Sequence, residues 1–156
     1  MFDPLIIFGA KYFLWILIVA GLIWFGKQSR ENKKKVILSG LVVLPLIYIV
    51  SRVVAQFYYD PRPFVVDHFI PLIPHEPDNG FPSDHSLLGA AMAVVIYSIS
   101  RKMGLVAGLF TILIGTARVL AGVHQPIDIA GSLIIAILVG LFTYHELLPR
   151  FSRRRS

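Results

Sequence analysis

Long apolar stretches alternate with short polar segments along the chain. Four apolar stretches are clear, at 5–26, 36–57, 104–122 and 128–147, and a shorter one with polar ends occupies 84–100. A helix that crosses a membrane needs about 20 largely apolar residues. The pattern therefore predicts an all-α membrane protein, a polytopic bundle of about five transmembrane helices.

The composition supports the same fold class. The hydrophobic fraction is 56% and the mean hydropathy is +0.71, values too high for an ordinary soluble domain. A length of 156 residues predicts a single domain over 1–156. The first apolar run follows no basic segment and no small-residue cleavage site, so we interpret it as a retained helix. The absence of cysteine excludes thiolate metal sites.

The basic residues are concentrated in three short segments. The segments 27–35, 101–102 and 150–155 hold five, two and four of them, which is 11 of the 15 Lys and Arg residues. Cytoplasmic loops of membrane proteins are enriched in these residues. We therefore expect the N-terminus outside, the C-terminus in the cytoplasm, and the loops 58–83 and 122–128 at the outer face. Basic residues arranged in this way predict membrane topology rather than a nucleic-acid groove, so no nucleic-acid partner is expected.

Two clusters of polar side chains fall at this outer face. The first comprises Arg62 and the Pro-Ser-Asp-His sequence at 82–85. The second comprises Arg118, His124 and Asp128, with the spacing R-x5-H-x3-D. Because charged and imidazole groups are costly near hydrocarbon, several of them at one membrane face predict a functional site.

In the second cluster, His124 and Asp128 are four residues apart at the predicted start of the last helix. Such positions share a helix face, so the carboxylate can accept a hydrogen bond from one imidazole nitrogen and leave the other as a nucleophile. Asp128 could instead be a structural helix cap, and Arg118 could be a structural arginine that extends toward the interface. Because the three residues occur together, a catalytic role is favoured over these structural ones.

The first cluster opens the third predicted helix. Ser83 or Asp84 could be a simple cap, but free N–H groups at a helix start also bind anions. Ser83 adds a hydroxyl donor, and His85 can give a proton to a leaving oxygen. Arg62 lies between two prolines, and its planar guanidinium suits phosphate oxygens.

In this order, these residues resemble the type-2 phosphatidic acid phosphatase superfamily, which also includes the vanadium haloperoxidases. The family pattern is K-x6-R-P, then P-S-G-H, then S-R-x5-H-x3-D, and the resemblance covers about 52–147, the motif-bearing core. Three positions differ: Ala55 replaces the lysine, Asp84 replaces the glycine as in bacterial P-S-D-H members, and Ala117 replaces the serine. Arg52, about one helical turn before Ala55, is predicted to supply the missing charge.

The resemblance implies a division of roles. His124 attacks phosphorus and forms a phosphohistidine, Asp128 orients it, and His85 protonates the leaving oxygen and then helps to activate water. The residues that hold the phosphoryl group are Arg62, Arg118, Ser83, Asp84 and Arg52. Phosphoryl transfer depends mainly on positioning and charge neutralisation, which arginines and a helix end can supply. We therefore expect no metal ion and no other cofactor.

The implied activity is that of an integral membrane lipid phosphatase in the bacterial inner membrane, with its site facing the periplasm and a membrane lipid phosphate as substrate. The P-S-D-H form and the small size resemble bacterial undecaprenyl-diphosphate phosphatases. Phosphatidylglycerophosphate, phosphatidic acid and lipid A 1-phosphate phosphatases share the motifs and stay open as alternatives. Phosphoryl transfer to another lipid also stays open. A non-enzymatic small transporter or scaffold is the alternative of another class, although no inverted repeat is visible.

The loop 58–83 carries further polar residues. They are Asp60, Asp67, His68, His75, Glu76 and Asp78. A metal site could be assembled from the two histidines and the carboxylates. Because their spacing fits no motif, we interpret them as solvated loop polarity.

Overall fold

The computed structural model describes residues 2–147, and its regular secondary structure in that range is helical. The helices are α1 (Asp3–Gly26), α2 (Arg30–Phe57), α3 (Pro63–Val66), α4 (Asp84–Tyr97), α5 (Arg101–Leu120) and α6 (Pro126–Phe142), and a π-helical turn follows at Thr143–Leu147. No β-strand forms within 2–147. The prediction of an all-α fold is confirmed.

Four helices are long and apolar enough to cross a membrane: α1, α2, α5, and α6 with its extension to His145. The remaining predicted span, at 84–100, corresponds to α4, a helix of 14 residues that is about 21 Å long. The multi-pass bundle is confirmed, with four long candidate spans and one shorter apolar helix. The basic tail at 150–155 lies outside the described residues, and the orientation of the termini stays a prediction.

Helix α2 begins earlier than the apolar pattern predicts. Ser29 caps it, because its side chain accepts a hydrogen bond from the backbone N–H of Asn32 at 3.2 Å. Lys35 also pairs with Glu31 one turn earlier, at 2.7 Å. Most of the predicted basic loop is therefore the polar first part of α2.

Helix α4 is the centre of the bundle and packs against α5, α6 and α2. Its inner face joins a core of small and branched side chains, including Val43, Ile47 and Leu87. The turn from α4 into α5 is tight: a Cβ atom on Gly104 would lie 2.4 Å from the Cα atom of Tyr97. Only glycine fits at that crossing.

The loop between α2 and α4 is fastened to the end of the bundle by Asn79. The Asn79 side-chain oxygen accepts hydrogen bonds from the N–H groups of Asp60 (2.9 Å) and Phe81 (3.0 Å). Its amide nitrogen donates to the carbonyl oxygens of Ala55 (3.3 Å) and Tyr58 (3.0 Å) at the end of α2. One side chain thus satisfies orphan carbonyl groups of the helix end and fixes both ends of the loop.

Candidate active site

The two predicted clusters meet at one end of the bundle, although they are about 60 positions apart in sequence. Arg62 is 5% exposed, and its Nη1 atom donates to the carbonyl oxygen of Val123 at 2.8 Å. The same Nη1 atom lies 3.2 Å from Nε2 and 3.3 Å from Nδ1 of His124. The loop arginine is therefore in direct contact with the predicted nucleophile.

His124 and Asp128 form the contact that their spacing predicts. Nδ1 of His124 lies 3.0 Å from Oδ2 of Asp128, and both side chains are buried. The same oxygen accepts the backbone N–H of Gln125 at 2.8 Å, which holds the carboxylate in place. Because a carboxylate only accepts, Nδ1 carries the proton and the lone pair of His124 is on Nε2.

The electrostatic surroundings keep His124 neutral. Burial lowers the pKa of His124 to about 3, and the charges of Arg62 and Arg118 act in the same direction. At neutral pH the imidazole is thus uncharged, and its Nε2 atom, which contacts Nη1 of Arg62, carries the lone pair that a nucleophile requires.

Two further predicted residues are buried without partners. Arg118, near the end of α5, is 4% exposed, makes no ion pair with any residue of 2–147, and leaves Nε without a hydrogen bond. Ser83 is fully buried, and its hydroxyl has no partner within the same range. Its backbone N–H approaches the Asp128 carbonyl oxygen at 3.3 Å, so the starts of α4 and α6 adjoin. Buried polar groups usually have hydrogen-bond partners, so these two side chains suit a bound ligand. Because one is a hydroxyl donor and the other a cation, the ligand that fits is an anion.

The first turn of α4 completes the group. His85 is partly buried and close enough to Arg118 for its charge to act on it. Asp84 and Arg52, both predicted to contact phosphate, form an ion pair with each other. The Arg52 guanidinium also lies over the ring of Tyr48, 5.1 Å from its centre. Arg52 is thus held at the rim of the site by a residue of the P-S-D-H motif.

Solvated polarity does not fully describe three of the loop side chains, because they lie at the site, although Asp78 is exposed. Asp78 binds buried Arg62, with Oδ1 2.9 Å from Nε and 2.8 Å from Nη2. Asp60 neighbours Asp128, and burial followed by the Asp128 charge raises the pKa of its carboxyl. The ring of His75 lies 6.0 Å from the ring of His124.

These three residues could not be found from sequence, because no local spacing connects them to the motifs. His68, by contrast, is exposed, with a φ of 54°. Within residues 2–147, no group of three or more His, Cys, Asp or Glu side chains is arranged to hold a metal ion.

Comparisons with known proteins agree with the motifs. Residues 37–151 match the family model described as the PAP2 superfamily. The undecaprenyl-diphosphatase BcrC of Bacillus subtilis (strain 168) is 34% identical over 154 residues, which cover 96% of this chain and 78% of that protein. The bacitracin transport permease protein BcrC of Bacillus licheniformis is 26% identical over 145 residues, covering 92% and 71%.

A solved structure shares the fold. The crystal structure of Aquifex aeolicus LpxE superposes with a TM-score of 0.68 at 24% sequence identity, covering 91% of this chain and 84% of that one. At this level of identity the likeness concerns the helical architecture alone.

Proposed function

The chain belongs to the PAP2 superfamily and is a membrane lipid phosphatase, and we propose that it hydrolyses undecaprenyl diphosphate to undecaprenyl phosphate and inorganic phosphate. The Bacillus subtilis relative, which carries the name of that activity, aligns with almost the whole chain. The observation that carries the proposal is the arrangement at His124. A neutral imidazole held by Asp128 lies against buried Arg62, and Arg118 and Ser83 are left without partners nearby.

In the first step, the Nε2 lone pair of His124 attacks the terminal phosphorus. The bond from phosphorus to the bridging oxygen breaks, a phosphohistidine forms, and the lipid monophosphate leaves. His85 takes up a proton from solvent when the anionic substrate binds beside it, and gives that proton to the leaving oxygen. Asp128 stabilises the positive charge that develops on the His124 ring through the bond to Nδ1. The charges of Arg62 and Arg118 neutralise the equatorial oxygens.

In the second step, water attacks the phosphohistidine and His85 accepts a proton from that water. The nitrogen–phosphorus bond breaks, inorganic phosphate leaves, and His124 regains its neutral form. Transfer to another lipid would replace water by a lipid hydroxyl or phosphate in this step alone.

The substrate is tested with purified protein in detergent and a panel of four lipids: undecaprenyl diphosphate, phosphatidylglycerophosphate, phosphatidic acid and lipid A 1-phosphate. We expect inorganic phosphate to be released fastest, by kcat/KM, from undecaprenyl diphosphate. A higher value for another member would reassign the substrate. No phosphate release from any of them would favour the transport function for which the Bacillus licheniformis relative is named, and a new phospholipid without free phosphate would indicate transfer.

We further propose that the reaction needs no metal ion. The support is the cationic surroundings: Arg62 and Arg118 are buried beside His124 and supply the charge neutralisation that a divalent cation supplies elsewhere. Phosphate release should keep its rate within about twofold in EDTA, since a bound catalytic cation would contribute far more than that to the rate. A loss that Mg²⁺ or Zn²⁺ then restores would overturn the metal-free mechanism.

Arg52 is proposed to replace the family's missing lysine, with Asp84 as the residue that holds it. We expect Arg52→Ala to lower kcat/KM by about five- to tenfold, a modest effect because this side chain is 42% exposed. Arg52→Lys should retain more activity than Arg52→Ala. Arg30→Ala, at the other end of the same helix, is the matched control. Equal rates for Arg52→Ala and the control would remove Arg52 from the site.

The protein is proposed to lie in the bacterial inner membrane with its site facing the periplasm. The charge distribution supports this, because Lys33, Lys34 and Lys35 start α2 at the end of the bundle opposite the site. A cysteine introduced at exposed Asp78 should react with a membrane-impermeant maleimide added to intact spheroplasts, and one at Lys34 should react only after lysis. The reverse labelling would invert the topology.

A further inference from the structure

His75 is a titratable side chain that the mechanism above does not use, although it lies beside the nucleophile. Its ring is 6.0 Å from that of His124, centre to centre, with an angle of 75° between the planes. This is an edge-to-face contact between two imidazoles. His75 is also partly buried, unlike His68 of the same loop.

The backbone that carries His75 is fixed to the end of α5. The N–H of Leu72 donates to the carbonyl oxygen of Ala121 at 3.0 Å. Ile73 is 4% exposed and packs with Ala121 and Val123. The position of His75 two residues later is therefore set by packing around the α5–α6 turn, immediately before His124.

The hydrogen bonding of His75 leaves one nitrogen without a partner among residues 2–147. Nδ1 lies 3.3 Å from the carbonyl oxygen of Glu76. A carbonyl oxygen only accepts, so Nδ1 is the donor and Nε2 makes no hydrogen bond within residues 2–147. In many functional histidines, a hydrogen bond from one ring nitrogen to a carbonyl oxygen fixes the tautomer in this way.

We propose that Nε2 of His75 contacts an oxygen of the phosphoryl group bound at His124, which makes His75 a third imidazole of the active site. The inference rests on the proposed function and adds a phosphate-binding residue to it. Together with Arg62 and Arg118, His75 holds the phosphoryl group from the loop side.

The charges around His75 couple this contact to proton uptake. Burial and then the charge of Arg62 lower the pKa of His75; Arg118 acts in the same direction, and Asp78 and the Glu76 carbonyl act against it. A bound phosphate dianion between the two arginines cancels the effect of their charge. His75 then takes up a proton and donates through Nε2 to the phosphate, since an opposite charge nearby favours the protonated form.

Two substitutions at position 75 distinguish loss of the phosphate contact from a change in the structure of the loop. The amide of Asn superposes on the Nδ1 side of the imidazole, so His75→Asn keeps the donor to Glu76 and loses the group that reaches the site. The longer Gln places its amide nitrogen near Nε2, so His75→Gln keeps the reach. His68→Asn is the matched control, because Asn tolerates the positive φ at that position.

The test is calorimetric titration of the full-length protein in detergent with inorganic phosphate at pH 7, in two buffers of different ionisation enthalpy. We expect His75→Asn to weaken phosphate binding about tenfold, the effect of losing one hydrogen bond to a charged group. His75→Gln should stay within about threefold of the natural protein, and His68→Asn should match it. Proton uptake per phosphate should fall in both position-75 variants and stay unchanged in His68→Asn.

Unchanged phosphate affinity in His75→Asn, or equal losses in His75→Asn and His75→Gln, would overturn the proposal. Unchanged proton uptake in both position-75 variants would do the same. These outcomes are distinct from failure of the proposed function. A protein that releases no phosphate from any lipid of the panel can still show the difference between Asn and Gln, and an active phosphatase can lack it.

Discussion

Replacing His124 by Ala should abolish lipid phosphate hydrolysis, with a loss in kcat of about 10⁴-fold or more, because the residue that forms the covalent intermediate has no substitute. The reason is local: the bond from Nδ1 to Asp128 leaves Nε2 of His124 without a proton and with the attacking lone pair. With its pKa lowered to about 3, the imidazole is unprotonated throughout the range from pH 5 to pH 8. The measurement is phosphate release from undecaprenyl diphosphate under single-turnover and steady-state conditions.

Two controls make the His124 result specific. His145→Ala alters an exposed histidine beyond the far end of α6 and should leave the rate unchanged. Rapid acid-free quenching with ³²P-labelled substrate should trap label on the natural protein, in an acid-labile and alkali-stable bond, and none on His124→Ala. Substantial turnover by His124→Ala, or label that resists acid, would refute a phosphohistidine at this position.

Replacing Arg118 by Gln is expected to lower activity and raise stability at the same time. Arg118 has no ion-pair partner among residues 2–147 and is almost fully buried, so no side chain of that range directly compensates its charge. Loss of that charge should cost about 10²- to 10³-fold in kcat/KM, as for the loss of one preorganised group that binds transition-state charge. The free energy of unfolding should rise by about 1–2 kcal/mol, because a desolvated, unpaired charge is removed.

The readouts for Arg118→Gln are phosphate release and thermal unfolding in detergent, with and without inorganic phosphate. Phosphate should stabilise the natural protein by binding its native state and have little effect on the variant. Arg101→Gln, at the exposed opposite end of the same helix, should change neither property. A variant less stable than the natural protein in the absence of phosphate would show that Arg118 is a structural arginine.

The sequence contained enough information for the helical fold and for the contact between His124 and Asp128. Apolar stretches of about 20 residues report spanning helices directly, because each must satisfy its own backbone hydrogen bonds in hydrocarbon. A spacing of four residues on a helical turn likewise dictates a shared face. Both predictions depend only on local geometry.

The site residues of the loop 58–83 could not be predicted, because their positions depend on packing between segments that are distant in sequence. Asp78 contacts Arg62 across 16 positions, and His75 reaches His124 only because Ile73 packs at the end of α5. The bounds of α2 also differ from the prediction, because hydropathy alone takes the lysines at 33–35 as a loop and capping by Ser29 extends the helix through them.

The shortness of α4 places its first turn within the bundle rather than at its end. It joins the 20-residue α5 by a tight turn at one end, so its other end stops about 9 Å below that of its neighbour. Longer helices surround it, and the protein itself, not the bilayer, absorbs this mismatch in length. The first turn of α4, with Ser83 and Ser86 fully buried, therefore lies inside the protein, where a dielectric constant below that of water strengthens each attraction between guanidinium and phosphate.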